Sequence, residues 1–242
     1  MNSHKYTVEH LLEYDTKYTF MRIHQTLLDG RKQVPFVYVA NGLSRGTKSA
    51  IDIAKEKNFE ICINAGLFNP KFNTYEPEGV IIENSKVVQN RAAKFYPDSK
   101  PLTIDLNGLL GYVEPDIDAN DLVSNGIVSA VCGFMPIIID HKPISKSKWT
   151  KVPHYAGFHQ RQIIGQFENG DYAIITAEGR GYADSTGWTI SQAQDICIKH
   201  GLKFAYNLDG GTSTETVVGG KLLNSAYQRH ELRFAPTFIV FN

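Results

Sequence analysis

The residues of this chain best equipped for chemistry are carboxylates, arginines and amides standing at the ends of short apolar runs. The clearest case is FAYNLDGGTSTETVVGG, residues 204–220. It begins as an apolar run that reads as a buried strand, then breaks at Asp209-Gly210-Gly211. A strand end fixes a carboxylate, and glycines beside it let the backbone approach a ligand closely. Thr212, Ser213 and Thr214 add three hydroxyls and Glu215 a second carboxylate. Such a set suits a polar, partly anionic substrate such as a sugar phosphate. The competing reading is an ordinary Asp-Gly turn between two strands.

Other apolar runs end in similar groups: Asn64, Arg161, Glu178 and Arg180. Arginine suits bidentate contact with phosphate, and paired carboxylates perform glycosidic chemistry. Taken singly, each residue also fits a salt-bridged surface side chain. His159 is of interest because it stands two residues before Arg161. Asn64-Ala65-Gly66-Leu67-Phe68-Asn69-Pro70 repeats the logic of a strand feeding a small-residue turn, so two strand ends are expected to converge on one cleft. Nucleotide motifs fail: Gly179-Arg180-Gly181 is followed by Asp184 where a dinucleotide fingerprint needs glycine, and no phosphate loop ends in Gly-Lys-Ser/Thr. There is no Gly-x-Ser-x-Gly elbow either.

The elements that must position these groups are mostly strands. Tyr18 to Leu28 and Val34 to Ala40 read as a hairpin about Asp29-Gly30. Asn41 to Gly46 reads as a polar loop, and Thr47 as the cap of a helix through about Lys57 with Ala50, Ile51 and Ala54 facing inward. Glu60 to Ile63 is strand-like, and Lys71 to Glu78 loop-like. Hairpins are expected over Gly79 to Val88, about Asn84-Ser85, and over Leu102 to Val113, about Asn107-Gly108. Glu114 to Asn125 reads as a surface loop, Gly126 to Ile139 as one or two strands, and Asp140 to Lys151, with Trp149, as a mobile rim. Arg161 to Phe167 and Tyr172 to Ala177 form a further hairpin. Thr189 and Gln192 make a capping box for a helix that His200 and Gly201 stop. Gly219-Gly220 turns another hairpin, and Phe234 to Phe241 is the last strand. Together these predict a single α+β domain over residues 1–242, mostly antiparallel β-hairpins packed with two or more helices.

Composition narrows the partners. The 242 residues carry zero formal net charge, which argues against electrostatic capture of a nucleic acid duplex or an anionic membrane. No window approaches a membrane span, and the N-terminus is not a signal peptide, so a cytoplasmic protein, or one released by lysis such as a phage product, is expected. Cys62, Cys132 and Cys197 lie far apart in apolar runs and read as buried free thiols. No metal or other cofactor is expected, although a divalent cation such as calcium near Asp209 and Glu215 is an open alternative. Length and composition leave the oligomeric state undetermined.

The segments HQRQIIGQFENGDYAIITAEGR, GWTISQAQDICIKHGLKFAYNLDGGTST and VVGGKLLN, in this order, resemble the phosphodiester glycosidase family. Asn64 to Phe68 resembles that family's Asn-Gly-Gly-Phe-Phe segment. Ala65 and Leu67 depart from the pattern, Glu178 stands where Asp is usual, Gln160 where a proline usually precedes Arg161, and Thr212 where a third glycine is common. The resemblance implies hydrolysis of the bond between a sugar's anomeric carbon and a phosphodiester oxygen, on a small-molecule or glycan substrate similar to a GlcNAc-1-phosphodiester. It implies Asp209, Glu178 and Arg161 as catalytic residues. Asn64, Gly66, Phe68, His159, Arg180, Asn207, Gly210, Gly211, Thr212 and Ser213 are the implied substrate-binding residues. The alternative is a binding module that holds a phosphorylated sugar or nucleotide-like ligand without turning it over.

Overall fold

The computed structural model describes residues 5–40, 48–69, 75–148, 156–225 and 234–242. Strands β1 (Tyr6–Glu13), β2 (Thr16–Ile23) and β3 (Phe36–Val39) precede helix α1 (Ala50–Lys57). Six strands follow: β4 (Ile61–Asn64), β5 (Phe68–Asn69), β6 (Glu76–Pro77), β7 (Ile81–Glu83), β8 (Lys86–Gln89) and β9 (Leu102–Asp105). Then come β10 (Leu110–Tyr112), helix α2 (Ala119–Ser124), β11 (Ile127–Val131), β12 (Met135–Ile139) and β13 (Lys142–Pro143). The hairpin β14 (Arg161–Gln166) and β15 (Tyr172–Ala177) leads to helix α3 (Ile190–Lys199) and β16 (Phe204–Asn207). Strands β17 (Thr216–Val218), β18 (Lys221–Leu222) and β19 (Thr237–Phe241) complete the order.

Three sheets carry the structure, in the orders β1-β2-β15-β14-β16-β12-β13, β10-β9-β11-β7-β8 and β18-β17-β4-β19-β3, with β5 and β6 as a separate ribbon. Every pairing between the described strands is antiparallel. The first sheet is buried on both faces at its centre, because successive strand side chains point to opposite sides. Ile164 and Ile174 join a core shared with Ile81 and Leu102 of the second sheet and Ile63 and Ile239 of the third. Their neighbours Ile163 and Ile175 point the other way, onto Trp188, Ile190, Ala193 and Ile196 of α3 and its approach. Helix α1 covers the outer face of the third sheet and α2 that of the second. The result is the expected single α+β domain, mostly antiparallel.

Local signals explain the elements that were anticipated. Asn84 and Ser85 both take positive φ in the β7–β8 turn, and Gly108 takes φ +80° in the β9–β10 turn. At α3, the Thr189 hydroxyl accepts the Gln192 N–H while the Gln192 side chain accepts the Thr189 N–H. Gly201, at φ +76°, ends that helix.

Four expectations are corrected. The segment after Tyr18 does not pair with Val34 to Ala40: β2 lies between β1 and β15, and β3 pairs with β19. The Asp29-Gly30 turn closes only a local bridge between Thr26 and Lys32. The reason is burial: seven of the eight residues of β2 are buried or half-buried, which needs a strand on each side. Strand β1 escaped notice because Glu9, His10 and Glu13 interrupt its apolar pattern, and from Glu9 onward its residues are exposed or half-buried. Residues 114–125 are not wholly loop, since Asp118 caps the short helix α2 through the Asn120 N–H. The described part of the expected rim contributes β13, paired at the sheet edge with β12, and a helical turn at Lys146–Lys148. In α1 the cap is Ser49 and Ile53, rather than Ile51, is fully buried. Thr47, the 41–46 loop, residues 71–74 of the Asn-rich loop and Trp149 with its neighbours lie outside the described residues.

The cysteines are free and buried, and burial pushes the Cys132 thiol up to about 12. Among the described residues no helix is long and apolar enough to cross a membrane.

Candidate functional site

The site grows from four strand ends. Strand β16 runs into Asp209, β4 into Asn64, β14 begins at Arg161, and β15 leads through Glu178 to Arg180. Asn64 and Asp209 do converge. The Asn64 amide donates to the Asp209 carbonyl at 2.7 Å, and its oxygen accepts the Glu215 N–H at 3.0 Å. The Asp209 N–H in turn donates to the Ala65 carbonyl at 3.0 Å. Both ends of the Asn64 amide are engaged by main-chain groups, so it works as a clamp between two loops.

Asp209 sits half-buried at the edge of a cavity of about 310 Å³. Part of its lining is aromatic and apolar, from Leu67, Phe68, Tyr96 and Phe134. The rest is polar or small: His159, Gln160, Arg161, Arg180, Asn207 and the loop from Asp209 to Ser213. Tyr96 and Phe134 meet edge to face, with centroids 5.6 Å apart. Aromatic rings lining the same cavity as cations and a carboxylate suit a sugar carrying an anion: the C–H face packs on rings and the charge meets arginine.

The two cations are held differently, Arg161 by main-chain carbonyls and Arg180 by a histidine side chain. Arg161 is buried; its Nε donates to the Trp188 carbonyl at 2.8 Å and one terminal nitrogen to the Gly157 carbonyl at 3.0 Å. Trp188 and His159 exchange backbone hydrogen bonds, which ties the loop before β14 to the approach of α3. The exposed Arg180 donates to His159 Nδ1 at 2.9 Å. A guanidinium cannot accept, so Nδ1 is the accepting nitrogen and the imidazole proton rests on Nε2. Arg180 itself takes φ +58°, a conformation uncommon for a residue with a side chain.

The glycines have a different use from the one anticipated. The Gly210 N–H donates to the carboxylate of Asp209 at 2.9 Å and the Gly211 N–H to the Gln160 carbonyl at 3.0 Å, so both donors are committed within the protein. A Cβ on Gly210 would lie 2.7 Å from the Gln160 carbonyl oxygen, and one on Gly211 would lie 3.2 Å from the Arg180 guanidinium. The pair therefore lets the Asp209 loop lie directly against β14 and Arg180.

Several anticipated residues fall elsewhere. Gly66 does not line the cavity; its N–H donates to the Thr237 hydroxyl at 3.0 Å, and a Cβ there would lie 2.7 Å from Val131. Glu215 turns its carboxylate to the Ala50 N–H at the start of α1, at 2.7 Å, and does not join Asp209 in a cation site. Among the described residues no three His, Cys, Asp or Glu side chains gather as metal ligands. Glu178 lines a separate cavity of about 430 Å³ with His10, Lys17, Tyr18 and Leu223. Its carboxyl takes the Ser225 N–H on one oxygen, and burial raises it above the ordinary value. Asp209 is thus the one carboxylate among the described residues that line the cavity of about 310 Å³. Sequence reasoning missed Tyr96, Phe134 and Gln160. The two aromatics lie in apolar or loop segments without a motif, whereas Gln160 was visible as the residue replacing proline before Arg161.

Comparison with known proteins places this geometry in context. A profile of the phosphodiester glycosidase family matches residues 57–241. The SPbeta prophage-derived uncharacterized protein YomE of Bacillus subtilis (strain 168) is 27% identical over 179 residues, 74% of this chain and 27% of that protein. The chain therefore spans about a quarter of that relative's length. Among solved structures, the catalytic domain of zebrafish N-acetylglucosamine-1-phosphodiester alpha-N-acetylglucosaminidase, auto-inhibited by its pro-peptide, superposes with TM-score 0.75 at 15% identity, over 98% of this chain and 82% of that one. A hypothetical protein from Synechocystis gives TM-score 0.77 at 14% identity, over 99% and 62% of the two chains. At such identities the superpositions carry the fold alone. The family profile covers the strand ends that build the cavity and runs from before β4 to the last strand: the chain belongs to the phosphodiester glycosidase family.

Proposed function

We propose that this domain hydrolyses the bond between the anomeric carbon of a sugar and a phosphodiester oxygen, with a GlcNAc-1-phosphodiester-like substrate. The observation that carries this reading is that Asp209, Arg161 and Arg180 line one cavity together with Phe68, Tyr96 and Phe134. In the reaction the anomeric C–O bond breaks and its electrons stay on the phosphate oxygen, which departs in a phosphate monoester. Water supplies the hydroxyl that replaces it. A phosphate monoester leaves readily, so neutralisation of its charge by Arg161 and Arg180 takes the place of a strong general acid. A second carboxylate in the cavity is then unnecessary. Asp209 acts on the sugar, as nucleophile or as base for the attacking water. Thr212 and Ser213 hold sugar hydroxyls or phosphate oxygens.

The experiment mixes purified protein with UDP-GlcNAc and a panel of sugar-1-phosphodiesters, with and without EDTA, and follows free sugar by mass spectrometry. Sugar release by the wild type and none by Asp209→Asn is the expected result. Release by Asp209→Asn near the wild-type rate would remove Asp209 from the chemistry.

A second reading is a binding module for the same ligands. It is favoured by one observation: the Gly210 and Gly211 N–H groups are already engaged within the protein, which leaves no pair of backbone donors there for developing charge. Ligand-dependent rise of the melting temperature without release would favour it. The prophage origin of the Bacillus relative supports, for either reading, a phage product that meets its glycan after lysis.

A further inference from the structure

We propose that Gln160 is a specificity-determining residue of this site, its side-chain amide reading a hydroxyl of the bound sugar together with Asn207. The inference rests on the sugar-phosphodiester reading above. Gln160 and Asn207 both line the main cavity and are each 1% exposed. Gln160 Oε1 and Asn207 Oδ1 are buried without a hydrogen-bond partner. Buried polar side chains are nearly always paired, so two orphaned oxygens on one cavity need an explanation.

Neighbouring glutamines show what a structural role looks like here. The buried Gln162, Gln166 and Gln194 donate to Thr216 Oγ1, to the Gly108 carbonyl and to the Ile137 carbonyl respectively. Gln160 serves the fold through its main chain, whose carbonyl accepts the Gly211 N–H. That service does not depend on the side chain. An aliphatic residue of the same length would fill the space without desolvating an amide, so the fold gives no reason for glutamine.

The residue stands beside the candidate chemistry. Gln160 precedes Arg161, packs through its backbone on Gly210, the residue after Asp209, and lines the same cavity as Asp209 and Asn207. A sugar bound in that cavity is within range of all three residues. Each orphaned oxygen requires its own donor: one sugar hydroxyl donates to Gln160 Oε1 while remaining able to accept from the Gln160 amide nitrogen, and a neighbouring hydroxyl donates to Asn207 Oδ1. A buried water is the competing occupant; it would make no distinction among sugars.

The test is calorimetric titration of the wild type, Gln160→Leu and Gln160→Met with glucose 1-phosphate and its 2-, 3-, 4- and 6-deoxy analogues. Wild type is expected to bind one deoxy analogue about tenfold more weakly than the parent. Both variants should bind the parent about tenfold more weakly than wild type does, yet bind that same analogue as well as wild type does. Melting temperatures of the unliganded variants should equal or exceed the wild-type value, since an orphaned group has gone. Variants that lose the same factor for every analogue, or lose nothing, overturn the assignment while leaving the sugar-phosphodiester reading in place. A wild type that binds none of these monoesters overturns the assignment, and the sugar-phosphodiester reading falls with it only if the phosphodiester panel also yields no free sugar.

Discussion

At the scale of single residues, the site separates groups that hold geometry from groups that meet a ligand. Asn64 belongs to the first kind, because both ends of its amide are engaged by main-chain groups of the Asp209 and Glu215 loops. Glu178 is set apart in another way. Its carboxyl is buried, and burial raises it above the ordinary glutamate value of 4.5, with the Ser225 N–H and hydroxyl and the charge of Lys17 opposing. A raised value means that the folded state binds the proton more tightly than the unfolded chain. The contribution to stability is therefore complete below pH 4.5 and is lost as pH rises through the folded value. Glu178→Gln should flatten the fall in melting temperature with rising pH across that window, measured against wild type in matched buffers. An unchanged slope would mean that Glu178 is not the titrating group. This split was only partly legible in the sequence. Asp209, Arg161 and Arg180 announced themselves as polar groups at strand ends, and the structure brings all three to one cavity. The segregation of Glu178 into a second cavity was not legible, because a one-residue change along β15 reverses the face and the sequence does not say which face meets which cavity.

At the scale of elements, the loop after β16 shows why the two glycines matter. Gly210 has φ −135°, outside the left-handed region, and a side chain there is opposed by lack of space. A methyl group at Gly210 would press on the carbonyl oxygen of Gln160, which β14 holds in place. Gly210→Ala is thus expected to cost about 1–3 kcal/mol of stability, as overpacking does, and to cut sugar release by far more than that loss implies, because Asp209 must move with it. Gly219→Ala is the control. Its φ of +54° also penalises a side chain, but nothing lies within 4 Å of the added carbon and the β17–β18 turn does not line the cavity. If both variants retain the same activity, the close approach at Gly210 does not position the site. Hairpins with tight turns were readable because two or three residues specify them, as at Asn84-Ser85 and Asn107-Gly108. Partners distant in sequence were not: β2 and β3 each satisfied a local hairpin pattern, and only the burial of β2 between β1 and β15 decides against it.

At the scale of the whole molecule, the last strand supports the site from the far end of the chain. Strand β19 lies between β3 and β4, and Ile239 joins the core that all three sheets share. Thr237, at its start, is completely buried; its carbonyl accepts the Ala65 N–H at 3.1 Å and its hydroxyl the Gly66 N–H at 3.0 Å. The Ala65 carbonyl then accepts the Asp209 N–H, so hydrogen bonds through residues 65 and 66 join the final strand to the main chain of Asp209. Because the three sheets share one core, the domain should unfold in a single transition. Thr237→Val keeps the shape and removes the hydroxyl, leaving the buried Gly66 N–H without its acceptor, at a cost of about 1–3 kcal/mol. Urea unfolding should show that loss with the slope unchanged. Sugar release should fall in turnover rate more than in apparent substrate affinity, since Asp209 is displaced while the aromatic wall and the arginines stay. A variant that is less stable yet turns over at the wild-type rate would show that the path from Thr237 supports the fold without setting the position of Asp209. A variant equal to wild type in both measurements would show that the hydroxyl supports neither.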